Sequence, residues 1–210
     1  MVICLTGFAH SGKDTTANHM VEACQQKGLK AIRLGLADRL KVICQKLIEL
    51  FYGLCIPLED FYDPIKKEIE HPEYPMFAGK PFKLRTILQI VGSEVFREYL
   101  WGDIWCDYIY RTYICNPSHD VIIMSDCRFP NELDYYVRLV HKGEISKCLS
   151  YRIVRPQREA LATENQSHQS ERHIMTLPVD TEILNNGTIE DLYAKANAIV
   201  DDVYSYYLRP

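Results

Sequence analysis

The sequence predicts an α/β protein of three layers (α/β/α), in which a mainly parallel sheet of about five strands lies between helices. Short apolar runs alternate along the chain with longer segments whose apolar residues recur at helical spacing. This alternation is typical of βαβ units, whose strands pair in parallel. A length of 210 residues, 47% of them apolar, suits one domain with a buried core. We therefore expect a single domain over residues 1–210, with ligands at the carboxyl ends of the strands.

The first βα unit carries the most informative motif. Residues 2–5 form an apolar run that predicts a strand, and helical spacing resumes at about Lys13 and ends before Gly28. Between them, residues 7–15 read Gly-Phe-Ala-His-Ser-Gly-Lys-Asp-Thr. A glycine at both ends of the turn and a lysine at the start of the helix predict a phosphate-binding loop (P-loop), in which backbone N–H groups face a polyphosphate. A glycine turn that only caps the helix is the alternative.

Within this loop, Lys13 is predicted to reach the outer phosphates of a nucleotide. Asp14 stands where a serine or threonine usually ligates magnesium, so either Thr15 supplies the hydroxyl or Asp14 holds the ion through its water shell. The segment Asn185-Asn186-Gly187 is a candidate rim for the base of the nucleotide that donates the phosphate, although Asn-Gly is first of all a turn signal. The predicted nucleotide-binding residues are Gly7, His10, Ser11, Gly12, Lys13, Asp14, Thr15, Thr16 and Asn186.

The remaining elements follow in order, each from its apolar pattern. Predicted strands cover residues 31–37, 121–124, 148–154 and 181–184, and predicted helices cover 40–51, 84 toward 115 in broken form, 130–141 and 188–207. Prolines and aromatic residues interrupt the pattern over about 55–83, and a polar segment covers about 155–173. Long irregular stretches in a compact domain are usually functional or mobile. We therefore interpret 55–83 as an insertion on the acceptor side, the side that binds the molecule receiving a phosphate.

Two charged residues directly follow the strand predicted at 121–124. Asp126 and Arg128 should face the phosphate crevice, where Asp126 can hold magnesium water or orient the acceptor. The guanidinium of Arg128 can grip a phosphate with two hydrogen bonds. A surface Asp-Arg ion pair is the alternative.

A polar stripe is predicted on the helix that begins at residue 84. Its residues are four positions apart and therefore share one face of an α-helix: Arg85, Gln89, Ser93 and Arg97. Two arginines and a carboxamide can neutralise a monophosphate and hydrogen-bond a base edge, while Trp101 or Trp105 supplies a stacking face. A solvated helix face paired with glutamates is the alternative.

The polar segment at 155–173 has the character of a lid. Arginines recur in and just before it, at Arg152, Arg155, Arg158 and Arg172. Phosphoryl transfer depends on positioning and charge neutralisation, so arginines on a closing loop can cover the transferring group and exclude water. An ordinary solvated loop is equally compatible with the composition.

Composition argues against several other classes of protein. The net charge is −4 with scattered basic residues, which disfavours binding to a nucleic acid polymer. Eight cysteines without a Cys-x-x-Cys pair indicate reduced core thiols in a cytoplasmic protein. No apolar window approaches the ~20 residues needed to cross a bilayer, and no export signal precedes the first strand.

Five motifs together resemble the viral and phage deoxynucleoside monophosphate kinase family. They are Gly7-x4-Gly-Lys-Asp-Thr, Ala37-Asp-Arg-Leu-Lys41, Leu88-Gln-x2-Gly-Ser-x3-Arg97, Asp126-x-Arg-Phe-Pro-Asn-Glu132 and His168-x-Ser-Glu171. The sequence departs from the family pattern at Ser93, where threonine is frequent, and at Cys127, where a small aliphatic residue is usual. Neither change removes a functional group.

The resemblance implies an adenylate-kinase-like P-loop NTPase fold that transfers the γ-phosphate of ATP to a deoxynucleoside 5′-monophosphate with Mg²⁺. It implies that the loop binds ATP and that Asp14 and Thr15 serve the metal. Carried over by motif, Lys41, Gln89, Arg97 and Arg128 face the acceptor. Together with the residues predicted above, the predicted catalytic residues are Lys13, Asp14, Arg128, Arg155 and Arg158. The predicted acceptor-binding residues are Lys41, Arg85, Gln89, Arg97, Trp105, Asp126, Arg128 and Glu171. A homodimer is possible, and a viral member of the family would act in the host cytoplasm.

Two rival functions use the same loop. Phosphomevalonate kinase shares the Gly-Lys-Asp loop and an Asp-x-Arg segment but accepts a phosphate that is not a nucleotide. A non-catalytic nucleotide-binding switch would need no acceptor site; guanine switches usually carry an Asn-Lys-x-Asp base reader, which this sequence lacks.

Overall fold

A computed structural model describes residues 1–115, 117–156 and 173–208. These residues form two compact units, one of Met1–Gly35 with Tyr108–Pro210 and the other of Leu36–Asp107. The helices, numbered along the chain, are α1 Lys13–Gln26, α2 Asp38–Tyr52, α3 Leu84–Gln89, α4 Ile104–Ile109, α5 Pro130–His141 and α6 Ile189–Tyr207. The expectation of a single domain stays a prediction.

The first unit contains a five-stranded sheet in which every neighbouring pair is parallel. Its strands are β1 Val2–Thr6, β2 Ala31–Leu34, β3 Val121–Met124, β4 Cys148–Val154 and β5 Thr181–Leu184, in the spatial order β2-β3-β1-β4-β5. In the central strand, Val2 lies between Ile122 and Cys148. The predicted fold class, an α/β protein built on a parallel sheet of five strands, is confirmed.

The connections between strands explain the three layers. The path from β1 through α1 to β2 crosses the sheet in one direction, and the path from β3 through α5 to β4 crosses it in the other. Because such crossovers are right-handed, α1 and α5 lie on opposite faces. The carboxyl ends of β1 and β3 thus flank the point where the chain changes direction, which is where open α/β sheets bind ligands.

The core on the α1 face follows the alternation of side chains along each strand. Ile3 and Leu5 of β1 and Ile123 of β3 are fully buried and pack with α1 and α6. Residues of α6 complete this cluster, among them Ala196 and Val200, neither of which is exposed. This packing fixes the start of α1, and with it the loop that precedes the helix.

The second unit is helical with a long irregular segment. The α-helical hydrogen bonding of α3 changes at Ile90 to a π-helix over Ile90–Leu100, and a second π-helical segment, Tyr110–Ile114, follows α4 in the first unit. The predicted irregular stretch contains short 3₁₀ turns at Leu58–Phe61 and Lys66–Glu68.

Strand β2 ends at Leu34, three residues earlier than predicted.

No helix in the described ranges has both the length and the apolarity needed to cross a membrane.

Candidate functional site

The predicted phosphate-binding loop joins β1 to α1 in the first unit. Gly7 and Gly12 have positive φ angles of 146° and 101°, which favour glycine. A Cβ atom at Gly12 would lie 2.6 Å from Nδ2 of Asn185, so a larger residue would displace the Asn185 side chain. His10 also has a positive φ of 62°, a strained conformation of the kind that gathers at functional sites. The first N–H groups of α1 lack partners within the helix and can donate to an anion.

Lys13 is folded into this loop. Its side chain is buried at 6% exposure, and its ammonium group donates a hydrogen bond of 3.3 Å to the carbonyl of Phe8. Burial lowers the pKa of Lys13, and the positive charge of Arg128 lowers this pKa further, whereas the carboxylates of Asp14 and Asp126 oppose the shift. Lys13 therefore lies within electrostatic range of the segment that follows β3.

The hydroxyl groups of the loop differ in their surroundings. Thr16 is fully buried, and its hydroxyl donates a 2.9 Å hydrogen bond to the carbonyl of Gly12. Ser11 is also buried, and its hydroxyl has no hydrogen-bond partner among residues 1–115, 117–156 and 173–208. Thr15 is half-buried and Asp14 is exposed, so both can be reached from solvent at the start of α1.

Backbone hydrogen bonds hold the segment from Asp126 to Arg128 against the ends of β2 and β1. The N–H of Ser125 donates to the carbonyl of Leu34, and that of Cys127 donates to the carbonyl of Leu5. The carboxylate of Glu132, at only 2% exposure, accepts hydrogen bonds from the N–H of Arg128 at 2.6 Å and of Phe129 at 3.1 Å. The backbone of Arg128 is therefore fixed next to the end of β1, and its half-buried side chain projects from this fixed point.

The contact that Asn185 makes with the phosphate-binding loop was not predicted from the sequence. Its side-chain amide donates a 2.7 Å hydrogen bond to the carbonyl of Ser11, so the turn after β5 supports the phosphate-binding loop directly. The neighbouring Asn186, which the sequence predicts at the rim for the base, is exposed. The Asn-Asn-Gly turn was visible in the sequence, but nothing in it showed which asparagine faces the loop. The role of Asn186 stays a prediction.

Of the arginines in the predicted lid, Arg155 lies in the part of the chain that the structure describes. Arg155 follows β4, is exposed, and donates a 3.4 Å hydrogen bond to the carbonyl of His10. Arg152 is buried and belongs to the sheet, where it bonds Glu182 and the carbonyl of Leu177. Arg158, Glu171 and Arg172 lie outside the described residues.

In the second unit, Lys41 lies at the start of α2. Its ammonium group is 3.1 Å from Oδ1 of Asp38 and 3.5 Å from the centroid of the Tyr62 ring. The Tyr62 hydroxyl donates to the same carboxylate oxygen at 2.9 Å. This arrangement holds the ammonium group of Lys41 in one place.

The polar stripe predicted on α3 meets a change in helix type. Arg85 pairs with Glu68, and the guanidinium of Arg97 donates to the carbonyl of Gly102 at 3.4 Å. Because a π-helix bonds from residue i to i+5, a spacing of four no longer keeps side chains on one line after Gln89. All four predicted residues are nevertheless half-buried.

Trp105 lies in the interior of the second unit. It is 5% exposed, its ring packs against Phe96 with centroids 5.1 Å apart, and its indole N–H donates to the carbonyl of Gly92. Trp101 is 46% exposed. The acceptor-binding roles given to Lys41, Arg85, Gln89, Arg97 and Trp105 stay predictions.

The protein resembles kinases of known family. Residues 62–196 match the model of the deoxynucleotide monophosphate kinase family. A protein of Acanthamoeba polyphaga mimivirus, named "Putative deoxynucleotide monophosphate kinase", is 27% identical over 217 residues that span 96% of this chain and 97% of the relative. That alignment extends over nearly the whole chain, whereas the family match begins after the phosphate-binding loop.

Solved structures are more distant. Shikimate kinase from Aquifex aeolicus is 12% identical with a TM-score of 0.43, each chain being covered in full. A sugar kinase from Janibacter is 13% identical with a TM-score of 0.44, covering 97% of this chain and 96% of the other. The family match spans more than half of the sequence, and the chain therefore belongs to the deoxynucleotide monophosphate kinase family.

Proposed function

We propose that the protein transfers the γ-phosphoryl group of ATP to a deoxynucleoside 5′-monophosphate. The observation that carries the proposal is the grouping of Lys13 with Arg128, Asp14 and Asp126 at the carboxyl edge of the sheet, where a phosphate-binding loop meets an Asp-x-Arg segment. Membership of the deoxynucleotide monophosphate kinase family supports the choice of a nucleotide acceptor over phosphomevalonate.

Phosphoryl transfer of this kind needs positioning and neutralisation of charge rather than a covalent intermediate. In the proposed mechanism the loop N–H groups and Lys13 bind the β- and γ-phosphates of ATP. Arg128 binds the acceptor phosphate, and Asp126 orients it. Arg155, next to the loop, covers the transferring group together with Arg158.

Magnesium fits the oxygen donors at the start of α1. Asp14 and Thr15 offer a carboxylate and a hydroxyl, the hard oxygen ligands that Mg²⁺ takes, usually with several waters and phosphate oxygens. When bound, the ion would neutralise charge on the β- and γ-phosphates. The residues of this chain orient the phosphates and exclude water in either case.

The second unit is assigned to the acceptor nucleoside. Lys41, Arg85, Gln89 and Arg97 supply cations and one carboxamide for a monophosphate and a base edge, and Trp105 is part of the same helical region. Glu171 completes the proposed acceptor set. ATP and a deoxynucleoside monophosphate are thus the proposed substrates.

A coupled assay of ADP release tests the proposal. The wild-type protein is supplied with MgATP and, in separate reactions, with deoxynucleoside monophosphates, ribonucleoside monophosphates and phosphomevalonate, and Lys13→Ala serves as control. We expect release that depends on a deoxynucleotide acceptor and is absent from K13A. Turnover with phosphomevalonate alone would show that the protein is a phosphomevalonate kinase instead. No turnover with any acceptor would indicate a non-catalytic binding module.

A further inference from the structure

Arg33 of β2 joins three groups at the carboxyl edge of the sheet, and no sequence motif pointed to it. Its guanidinium donates to Oδ1 of Asp14 at 2.7 Å, to Oδ1 of Asn18 at 3.2 Å and to the hydroxyl of Ser125 at 2.9 Å. Asp14 and Asn18 are one turn apart on α1, and Ser125 directly precedes Asp126. One side chain therefore connects the phosphate-binding loop to the Asp-x-Arg segment.

The position of Arg33 follows from the sheet. It lies on the same face of β2 as Ala31, which packs in the core with α1. Near the end of the strand this face leaves the apolar core, so a long side chain can reach the first turn of α1 while it stays 36% exposed. The planar fork of arginine holds the carboxylate and the hydroxyl in a fixed geometry, whereas a lysine offers the same charge from a single flexible ammonium group.

The contact with Asp14 has an electrostatic consequence for anion binding. A carboxylate in the first turn of α1 stands beside the place where a polyphosphate would bind, and two anions at this distance repel each other. The ion pair with Arg33 offsets the negative charge of Asp14 before any metal binds. Arg33 is also close enough to lower the pKa of Lys13 slightly, after burial and Arg128, so its charge acts on the loop as a whole.

We propose that Arg33 is a positioning residue that holds Asp14 and Ser125 in register and sets how strongly nucleotide binding depends on Mg²⁺. With Arg33 in place, the loop accepts the phosphates of metal-free ATP. Without it, the uncompensated carboxylate of Asp14 weakens that binding until a cation restores the balance. The inference rests on the proposed function only in requiring that the loop bind ATP.

Calorimetric titration of ATP into the full chain, once in EDTA and once in saturating Mg²⁺, tests the inference. We expect Arg33→Met to weaken binding in EDTA by about tenfold while binding in Mg²⁺ changes by no more than about threefold, a coupling of ordinary size. The double variant Asp14→Asn with Arg33→Met should return binding in EDTA close to that of the wild type. Arg33→Lys should recover most of it, because the charge beside Asp14 is kept.

Arg138→Met is the matched control, since this exposed arginine lies in the last turn of α5, which runs back from the carboxyl edge. Equal losses by R33M in EDTA and in Mg²⁺, or a loss that D14N does not reverse, would overturn the inference. If R33M gives no cooperative melting transition, Arg33→Gln takes its place with the same expectations. Turnover of the wild type is measured separately, so a failed kinase assay leaves the binding result intact, and the reverse also holds.

Discussion

Replacing Lys13 by methionine should separate the stability of the free protein from its affinity for nucleotide. Methionine has nearly the length of lysine, so the buried position keeps its packing. Burial lowers the pKa of Lys13, as does the charge of Arg128, so the folded state binds this proton less tightly than the unfolded chain does. The cost of burying this positive charge lowers the stability of the folded state, and it is fully present at neutral pH. It disappears only as the pH rises through the lowered pKa to the ordinary value of 10.5.

The effect of K13M on the stability of the free protein follows from the removal of this charge. At neutral pH, K13M removes a buried ammonium group, and the melting temperature of the free protein should stay equal or rise. The loss of nucleotide binding acts in the opposite direction, on the melting temperature measured with ATP. A ligand at 100 times its Kd stabilises a protein by about 2.7 kcal/mol. For a chain of this size that corresponds to a shift of about 5 to 10 °C, and K13M should lose most of this shift.

Thermal melts with and without MgATP measure both effects. Lys30→Met is the matched control, because Lys30 is exposed just before β2, at the opposite edge of the sheet from the loop. K30M should keep the ATP-dependent shift, whereas K13M should lose it together with a reduction in kcat of at least about 10²-fold. A full ATP-dependent shift in K13M would refute the assignment of Lys13 to the phosphates. A strongly lowered melting temperature of free K13M would refute the electrostatic reasoning.

Three further substitutions have defined outcomes. Arg128→Ala should lower kcat/KM for the acceptor by about 10²- to 10³-fold and keep the ATP-dependent thermal shift, whereas unchanged turnover would remove Arg128 from the site. Asn185→Ala, which loses the bond to the Ser11 carbonyl, should raise the Kd for ATP by about fivefold, while Asn186→Ala should change it by less than about twofold; calorimetry that ranks them in reverse contradicts the structure. Glu132→Ala removes the acceptor for two partly buried N–H groups and should lower the free energy of unfolding by about 2 kcal/mol in urea titrations, a value near zero being incompatible with the contacts at Arg128 and Phe129.

Much of the fold was predictable from local pattern. Strand β1, the start of α1 at Lys13, strand β3 and the cap of α6 at Thr188 lie where the sequence predicts them. Each depends on interactions close in the chain: an apolar run, a glycine turn or a capping side chain. Strand β2 ends at Leu34 although the apolar pattern continues to Leu36, which is buried, so the periodicity of a short strand does not show where its pairing with β3 stops.

The site was predicted less completely, for a physical reason. Motifs identify residues that would contact a ligand, but the residues that hold those groups in place come from distant parts of the chain. Arg33 and Asn185 lie 19 and 174 positions from their partners Asp14 and Ser11, and no local pattern connects them. The change from α- to π-helix at Ile90 was likewise invisible, because the apolar spacing of the segment fits an α-helix. Predicting the contacts of Arg33 and Asn185 requires knowledge of strand order.

Transfer of label from γ-³²P ATP tests the central claim most directly. The protein is incubated with labelled MgATP and a deoxynucleoside monophosphate, and the products are separated by chromatography. The account predicts that the label appears in the deoxynucleoside diphosphate, only when both substrates are present, and not with K13M. Label that appears only as inorganic phosphate, or that stays in ATP with every deoxynucleotide, would contradict it.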